Sequence, residues 1–415
     1  MSASQIPIIA RGLIRHRLIV AIIVIQVVIT TAAVTNIVFL LTQRLQTLTY
    51  ETGLRESGLA VIETDFLGEA ATHVSTSVKS DLDALRQVPG VTAVAATEAL
   101  PLSQNNWTVG VTNKLLDRGN LNGLIETEPT IYSVSPRGLD VLGLRLISGS
   151  DFSPGAYVSM AADEDYSGLY KAGEAIISNA LAKKLFPGES ALGKALYIDG
   201  EHPLHVVGVV EHLSRPLLHS GADNDLSMLL PLVPDGHRVI YAVRTDPSKM
   251  PSVLDAARQS LRRAEANRMM PRVMSFSDLR SDYFRRDKTM ALIFLSAVAS
   301  LLIVTGVGIY GLASFWVRQR YLHIGIRRAL GARYKDVVRY FLLENLLLTS
   351  SGATLGTILA VAVNVQISRL YDAPRIESIF LIVGFLLVCV LGQAAAWLPA
   401  SRAAKNAPIV TLRSG

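Results

Sequence analysis

The sequence predicts an α-helical membrane protein. Four transmembrane helices, one N-terminal and three C-terminal, surround a large α+β extracytoplasmic domain of two subdomains. Three observations predict this class. Half of the 415 residues are apolar and the mean hydropathy is +0.35, too apolar for an ordinary soluble enzyme. Four long stretches carry almost no charge. Between the first and the second lie about 250 residues whose apolar pattern switches between strand and helix periods.

Residues 1–17 form a basic segment with Arg11, Arg15 and Arg17. Leu18 to Leu41 is uncharged over 24 positions. At ~1.5 Å rise per residue it crosses a hydrocarbon core of about 30 Å with some tilt. A cleavable signal peptide has an apolar region of only about 7–15 residues, so this segment reads as an uncleaved anchor. Residues 290–317 are uncharged, 341–367 carry one acid, Glu344, near their start, and 378–398 are again uncharged.

The segment 318–340 holds seven basic residues, Arg318, Arg320, Arg327, Arg328, Arg333, Lys335 and Arg339, against one acid, Asp336. The positive-inside rule places it in the cytoplasm. Residues 1–17 and the tail 399–415, with Arg402, Lys405 and Arg413, fall on the same side. Residues 42–289 then lie outside. Much of the net charge of +6 flanks the spans, which argues for membrane lipid and against nucleic acid as its partner.

Within the external domain, 58–66 reads as a strand, 67–86 as a helix and 90–100 as a strand. The order recurs as a strand over 238–245, a helix over about 249–268 and a strand over 273–280. Two such units, about 58–100 and 236–280, predict an α/β module assembled from both ends of the domain. A strand-rich subdomain, about 103–235, is inserted between them. The only cysteine, Cys389, lies in an apolar run, which excludes an intrachain disulfide and a thiolate metal cluster.

Candidates for chemistry are few. Residues 188–195, GESALGKA, stop one residue short of a phosphate-binding loop, with Ala195 where a magnesium-binding hydroxyl belongs. The preceding 179–186 read as a helix and the following 195–200 as a strand, the reverse of a working loop's context. His202, placed in a Pro-containing turn, and His205 and His212 lack the spacing of a helical metal site. Strand alternation separates the last two. No G-x-S-x-G stretch supports a serine hydrolase. No catalytic, cofactor or metal residues are expected.

The substantial polar side chains inside the spans are Gln26, Asn36, Asn364 and Gln393, besides Glu344. Ion-driven transporters place ionisable groups near the membrane centre, so the energy source is expected to be a partner. Gly306, Gly308 and Gly311, and Gly352 with Gly356 in a GxxxG pair, suit close helix packing.

Residues 323–360, HIGIRRALGARYKDVVRYFLLENLLLTSSGATLGTILA, resemble the FtsX-like permease segment of ABC transporters in the MacB-type branch. Residues 134–152 and 175–213 resemble the MacB-type periplasmic core, and 398–415 resemble the family's last span and tail. The resemblance implies a non-catalytic permease of a bacterial inner membrane that works as a dimer, with a second copy or a related permease. It implies an ABC ATPase subunit as a separate chain that binds ATP and Mg. It also implies mechanotransmission, in which ATPase closure moves the membrane helices and reshapes the external domain. The size of that domain points to efflux or secretion of an antibiotic, peptide or similar compound, through a periplasmic adaptor and an outer-membrane channel. Lipoprotein release, or activation of a cell-wall hydrolase or sensor kinase, are the competing readings.

The residues implied in ATPase coupling are Ile324, Gly325, Ile326, Arg327, Arg328, Ala329, Leu330, Gly331 and Ala332. Ile324, Ala329, Leu330, Val337 and Val338 supply an apolar side, Arg327, Arg328 and Lys335 a cationic one, and Gly325 and Gly331 permit bends. On composition alone an interfacial helix holding lipid headgroups is an equal alternative; with the resemblance, a partner groove is favoured. His323 stands where the family has an acid, so an ion pair at that position does not carry over.

Overall fold

The computed structural model describes residues 17–68, 73–117, 122–160, 167–219, 222–320, 326, 333–371 and 375–405. The chain forms two compact units, residues 1–49 with 286–415, and residues 50–285. The first opens with α1 (Arg17–Leu48), which continues as a helix beyond the charge-free run.

The second unit begins with β1 (Leu59–Phe66), α2 (Val74–Arg86) and β2 (Val91–Thr97). The inserted part contains β3 (Val111–Thr112), β4 (Glu126–Thr127), β5 (Thr130–Ser133), α3 (Gly138–Leu142), β6 (Leu146–Gly149) and β7 (Val158–Ser159). It goes on through β8 (Glu174–Ser178), α4 (Asn179–Leu185), β9 (Ala195–Ile198), β10 (His202–Val210), β11 (Ser227–Leu230) and β12 (Leu232–Val233). The chain then returns as β13 (Arg238–Thr245), α5 (Met250–Ala264), β14 (Arg268–Ser275) and α6 (Phe276–Tyr283).

The two ends of this unit build one four-stranded sheet in the order β14-β1-β13-β2. Every neighbouring pair is antiparallel, the split βαβ arrangement in which each crossover helix covers the same face. Val74, Val78, Leu82 and Leu85 form one stripe of α2, and Val253, Ala257 and Leu261 one stripe of α5. The first stripe recurs at four- and three-residue steps and the second at four-residue steps, so both helices bury one side against the sheet.

Within this module three element boundaries differ most from the sequence reading. The first helix starts at Val74 rather than Leu67, because Gly68 adopts φ +57°, which a right-handed helix does not accommodate. The second ends at Ala264, where the Glu265 carboxylate accepts from the Asn267 amide at 2.9 Å and turns the chain into β14. The last strand is Arg268–Ser275, and residues 276–280 are helical. There the Ser275 hydroxyl accepts from the Asp278 amide at 3.1 Å and donates to its carboxylate at 2.7 Å. That capping pair converts an apparent strand into a helix start.

The insert is a mixed sheet of order β4-β3-β9-β10-β8-β11-β5, with β6 also paired to β10. β10 runs parallel to β8 and β11 parallel to β5. Ser178 caps α4 by accepting from the Leu181 amide at 3.2 Å, and Leu181 and Leu185 enter the core beside Ile177 and Val206. Buried Arg244 of β13 clasps the insert to the first sheet. It donates to the carbonyls of Val141 (2.9 Å), Arg55 (2.6 Å) and Ser57 (2.8 Å).

The first unit resumes with α7 (Arg285–Gln319), α8 (Tyr334–Tyr371) and α9 (Ser378–Lys405). With α1, these four helices are long and apolar enough to cross a membrane. Val27, Ile309, Leu312, Trp316, Leu348 and Val388 fill the space between them. Arg44 of α1 pairs with Asp287 of α7 at 2.9 Å.

Candidate functional site

The segment 318–340 is carried on two helical stems. Arg318 and Gln319 belong to α7, and Tyr334 onward belongs to α8. Of the nine coupling residues, Ile326 is described: it is helical and 46% exposed, so an apolar side chain is left uncovered by its own chain. Ile324, Gly325, Arg327, Arg328, Ala329, Leu330, Gly331 and Ala332 lie outside the described residues. Arg318, Arg333, Lys335 and Arg339 are all exposed, a cationic collar around the stems.

Val337 and Val338 do not extend the apolar docking side, as their sequence positions had implied. Both are buried with Val317, Phe341, Ala400, Ala403 and Ala404 in an internal cluster. The small alanines after Pro399 let α9 run alongside α8 here, and α9 continues as a helix to Lys405.

A polar node sits just inside that cluster. Arg320, the first residue after α7, donates from Nη1 to Glu344 Oε2 of α8 at 2.8 Å. The Glu344 side chain is 1% exposed and Arg320 25%. Arg320 also lies 3.4 Å from the Tyr340 hydroxyl and 5.9 Å from the Trp316 ring centroid. The next residue, Asn345, donates to the Gly392 carbonyl of α9 at 2.9 Å. Gln393, with its amide turned to satisfy both ends, donates to the Leu342 carbonyl at 3.1 Å and accepts from Asn345 at 3.2 Å. One turn of α8 is thereby bonded to both α7 and α9. The sequence reading marked Glu344 only as an acid near a span's start and missed its partner, because Arg320 falls in the basic segment.

Several other intramembrane polar groups bond a neighbouring helix or the turn that leads into one. Gln26 donates to the Val304 carbonyl at 3.1 Å and Asn36 to the Ala360 carbonyl at 3.2 Å. Thr30 and Thr305 share a hydrogen bond of 2.7 Å, and Asn364 accepts from the Ile376 amide at 2.9 Å. The glycines divide. A Cβ on Gly308 would lie 2.6 Å from the Gln26 side chain, on Gly352 2.7 Å from Val27, and on Gly356 2.6 Å from Thr31. Among the described residues, Gly311 faces nothing within 4 Å and Gly306 faces Leu391 at 3.7 Å. Gly384 and Gly392, absent from the sequence reading, are also tight, a Cβ there lying 2.0 Å from Thr35 and 2.6 Å from Thr349.

Residues 188–195 form a turn between α4 and β9. Gly188 and Gly193 adopt φ +78° and +77°, and Gly193 donates to the Val206 carbonyl at 2.8 Å. Lys194 pairs with Glu189 and lies over the Phe186 ring at 4.9 Å. The helix-then-strand order and these contacts oppose a phosphate cradle. His202 starts β10 rather than occupying a turn, and stacks on Tyr170 at 4.3 Å. His212 instead contacts Asp225 at 3.3 Å. Among the described residues no three metal-ligating side chains converge. Glu98 lies where the chain leaves β2 for the insert. Burial, then the nearby Asp235 charge, pushes its carboxyl up to about 7.

Four apolar helices, one before and three after a large α/β unit, define a multi-pass membrane protein with an extracytoplasmic domain. The MacB-like periplasmic core domain model matches residues 20–261, and the FtsX-like permease C-terminal model matches residues 295–408. The chain belongs to the MacB/FtsX family of ABC transporter permeases.

Among its relatives is the macrolide export ATP-binding/permease protein MacB of Shewanella sp. (strain W3-18-1), 27% identical over 353 residues, covering 82% of this chain and 49% of that protein. The uncharacterized ABC transporter permease YknZ of Bacillus subtilis (strain 168) is 23% identical over 347 residues, covering 83% of this chain and 80% of the relative. The chain thus spans about half the length of the macrolide-export relatives. The crystal structure of the periplasmic region of MacB from Actinobacillus actinomycetemcomitans aligns with a TM-score of 0.34 at 14% identity, covering 57% of this chain and 97% of that one.

Proposed function

We propose that this chain is the permease subunit of a MacB-type exporter in a bacterial inner membrane. Its termini and the 318–340 segment face the cytoplasm, and its α/β domain faces the periplasm. A separate ABC ATPase subunit holds ATP and Mg and docks on Ile324–Ala332 between the exposed cationic stems. A second copy, or a related permease, completes the assembly. The motion drives an antibiotic, peptide or similar compound outward through a periplasmic adaptor and an outer-membrane channel.

The observation that carries the reading is how the membrane unit uses its polar groups. Glu344, Asn36, Gln26, Asn345 and Gln393 bond neighbouring helices, an arrangement suited to transmitting displacement rather than to handing ions along a path. The YknZ relative, named as an ABC transporter permease, supports the assignment of ATP hydrolysis to another subunit.

The test is purification of the tagged chain with its bound proteins, followed by ATP hydrolysis in reconstituted vesicles. An ABC ATPase and an adaptor are expected to co-purify. Arg327→Ala and Gly331→Leu should insert normally but uncouple hydrolysis from export by tenfold or more. Recovery of a cell-wall hydrolase, a sensor kinase or a lipoprotein acceptor in place of the adaptor would overturn the export reading.

A further inference from the structure

We infer that the Arg320–Glu344 ion pair is the positioning contact through which displacement of the 321–333 segment passes into α7. This inference rests on the coupling reading above and assigns that coupling to two side chains. Three observations place the contact. First, Arg320 immediately follows the last residue of α7 and Glu344 lies on α8, so the pair ties the end of one stem of the segment to the other at 2.8 Å. Second, α7 runs without interruption from Arg285 to Gln319, so whatever holds its Arg320 end addresses the whole helix back to the extracytoplasmic domain. Third, Glu344 is followed by Asn345, whose amide is bonded to α9. α8 therefore grips one neighbour through a charge and the other through an amide, within one turn.

The energetics favour register over stability. A carboxylate with almost no solvent exposure loses most of its hydration, and one arginine offsets that loss only in part. Among the described residues, Glu344 Oε1 accepts no hydrogen bond and the buried indole N–H of Trp316, beside Arg320, donates none. An apolar pair of similar volume would hold α7 against α8 at least as firmly. What the ion pair adds is a fixed partner. Sliding α7 by one turn along α8 would leave Glu344 buried without its cation, a state far less favourable than the paired one. The two helices are therefore constrained to move together at this point, while the apolar cluster of Val317, Val337 and Phe341 permits small sliding elsewhere.

The experiment uses the full complex with its ATPase in nanodiscs and compares Glu344→Gln, Arg320→Lys and the exchange Arg320→Glu/Glu344→Arg. Hydrogen exchange is followed with and without ATP, Mg and vanadate, beside the ATPase rate and the melting temperature. In the wild-type complex, nucleotide should alter exchange both at residues 333–346 and in the domain at 50–285. Glu344→Gln should keep the ATPase rate within about twofold and the change at 333–346, and lose at least four-fifths of the change in the domain. Arg320→Lys and the exchanged pair should each recover at least half of it.

Glu344→Gln transmitting like wild type would overturn the inference. So would parallel losses of melting temperature, ATPase rate and domain response, unrelieved in the exchanged pair, since those mark structural support alone. A wild-type complex whose domain ignores nucleotide would overturn the coupling reading itself, and this inference with it.

Discussion

Asp81 of α2 and Arg268 of β14 form a bidentate ion pair, with contacts of 2.6 and 2.9 Å, and neither side chain reaches solvent. The Tyr241 hydroxyl donates to the same carboxylate at 2.5 Å, and the guanidinium lies 5.0 Å from the Phe66 ring centroid. Burial, then the charge of Asp81, pushes the Tyr241 phenol well above its usual range. Four elements, α2, β1, β13 and β14, thus meet at one charge pair inside an otherwise apolar core.

Asp81→Asn is expected to destabilise the extracytoplasmic domain by roughly 3–5 kcal/mol, because it strands the arginine in a dry interior. Replacing both partners, as Asp81→Leu with Arg268→Met, should cost less than the single change. Hydrogen exchange at the amides of α2 and β14 in the full chain measures both. A double variant worse than Asp81→Asn would show that the pair itself contributes the stability.

Glu98 supplies a pH dependence. Its folded-state pKa is raised from an ordinary 4.5 to about 7 by burial and by Asp235, so the folded chain holds this proton more tightly than the unfolded one. Its contribution to stability is therefore fully present below about 4.5 and is lost as pH rises through 7. Glu98→Gln should remove that slope and stabilise the domain at pH 8 by up to roughly 3 kcal/mol. Melting temperatures of the two proteins between pH 5 and pH 8 test it, and parallel curves would contradict it.

Gly352→Ala and Gly356→Ala should each destabilise the membrane unit by about 1–3 kcal/mol, because their new methyl groups meet Val27 and Thr31 of α1 at 2.7 and 2.6 Å. Gly311→Ala, with nothing within 4 Å, serves as the control and should be tolerated. Thermal unfolding in detergent distinguishes them. Equal effects at all three positions would remove the distinction between packed and open glycines.

Lys194→Ala should leave the ATP hydrolysis rate of the assembled complex within about twofold of wild type. Its ammonium pairs with Glu189 in a turn between a helix and a strand, outside any phosphate-binding context. A hundredfold loss of rate would restore a nucleotide role to residues 188–195.

The extent to which this protein can be read from its sequence follows the range of the interactions involved. Long uncharged runs reveal α1, α7, α8 and α9 because the hydrophobic requirement is local and repeated over many residues. The β13 strand was legible over Arg238–Thr245 for the same reason, as a continuous β-branched and apolar run. Residues 273–280 misled because Met274 and Phe276 continue the two-residue alternation of the strand, whereas a single hydroxyl at Ser275 starts the helix that Phe276 and Leu279 belong to. Val337 and Val338 showed an apolar side without showing its occupant, which is α9 folded back more than 60 residues later in the chain. Arg320 and Glu344 each read as ordinary, one a topology signal and the other an acid at a span's edge. Only the fold joins them.

The strand order β14-β1-β13-β2 has a mechanical consequence. Ala60, just after the lead-in from α1, pairs with Ser275, just before the lead-out to α7. Both leads therefore leave from the same end of one antiparallel strand pair. Drawn apart, they would part that pair like a zipper, one rung at a time; drawn together, they would carry the sheet intact. Arg280 of α6 fastens the leads at the mouth of the zipper, donating to Glu56 and to the Tyr50 carbonyl, each at 2.6 Å. A common pull on the two tethers would load every rung of this pair together, whereas a divergent one would first have to break the contacts of Arg280.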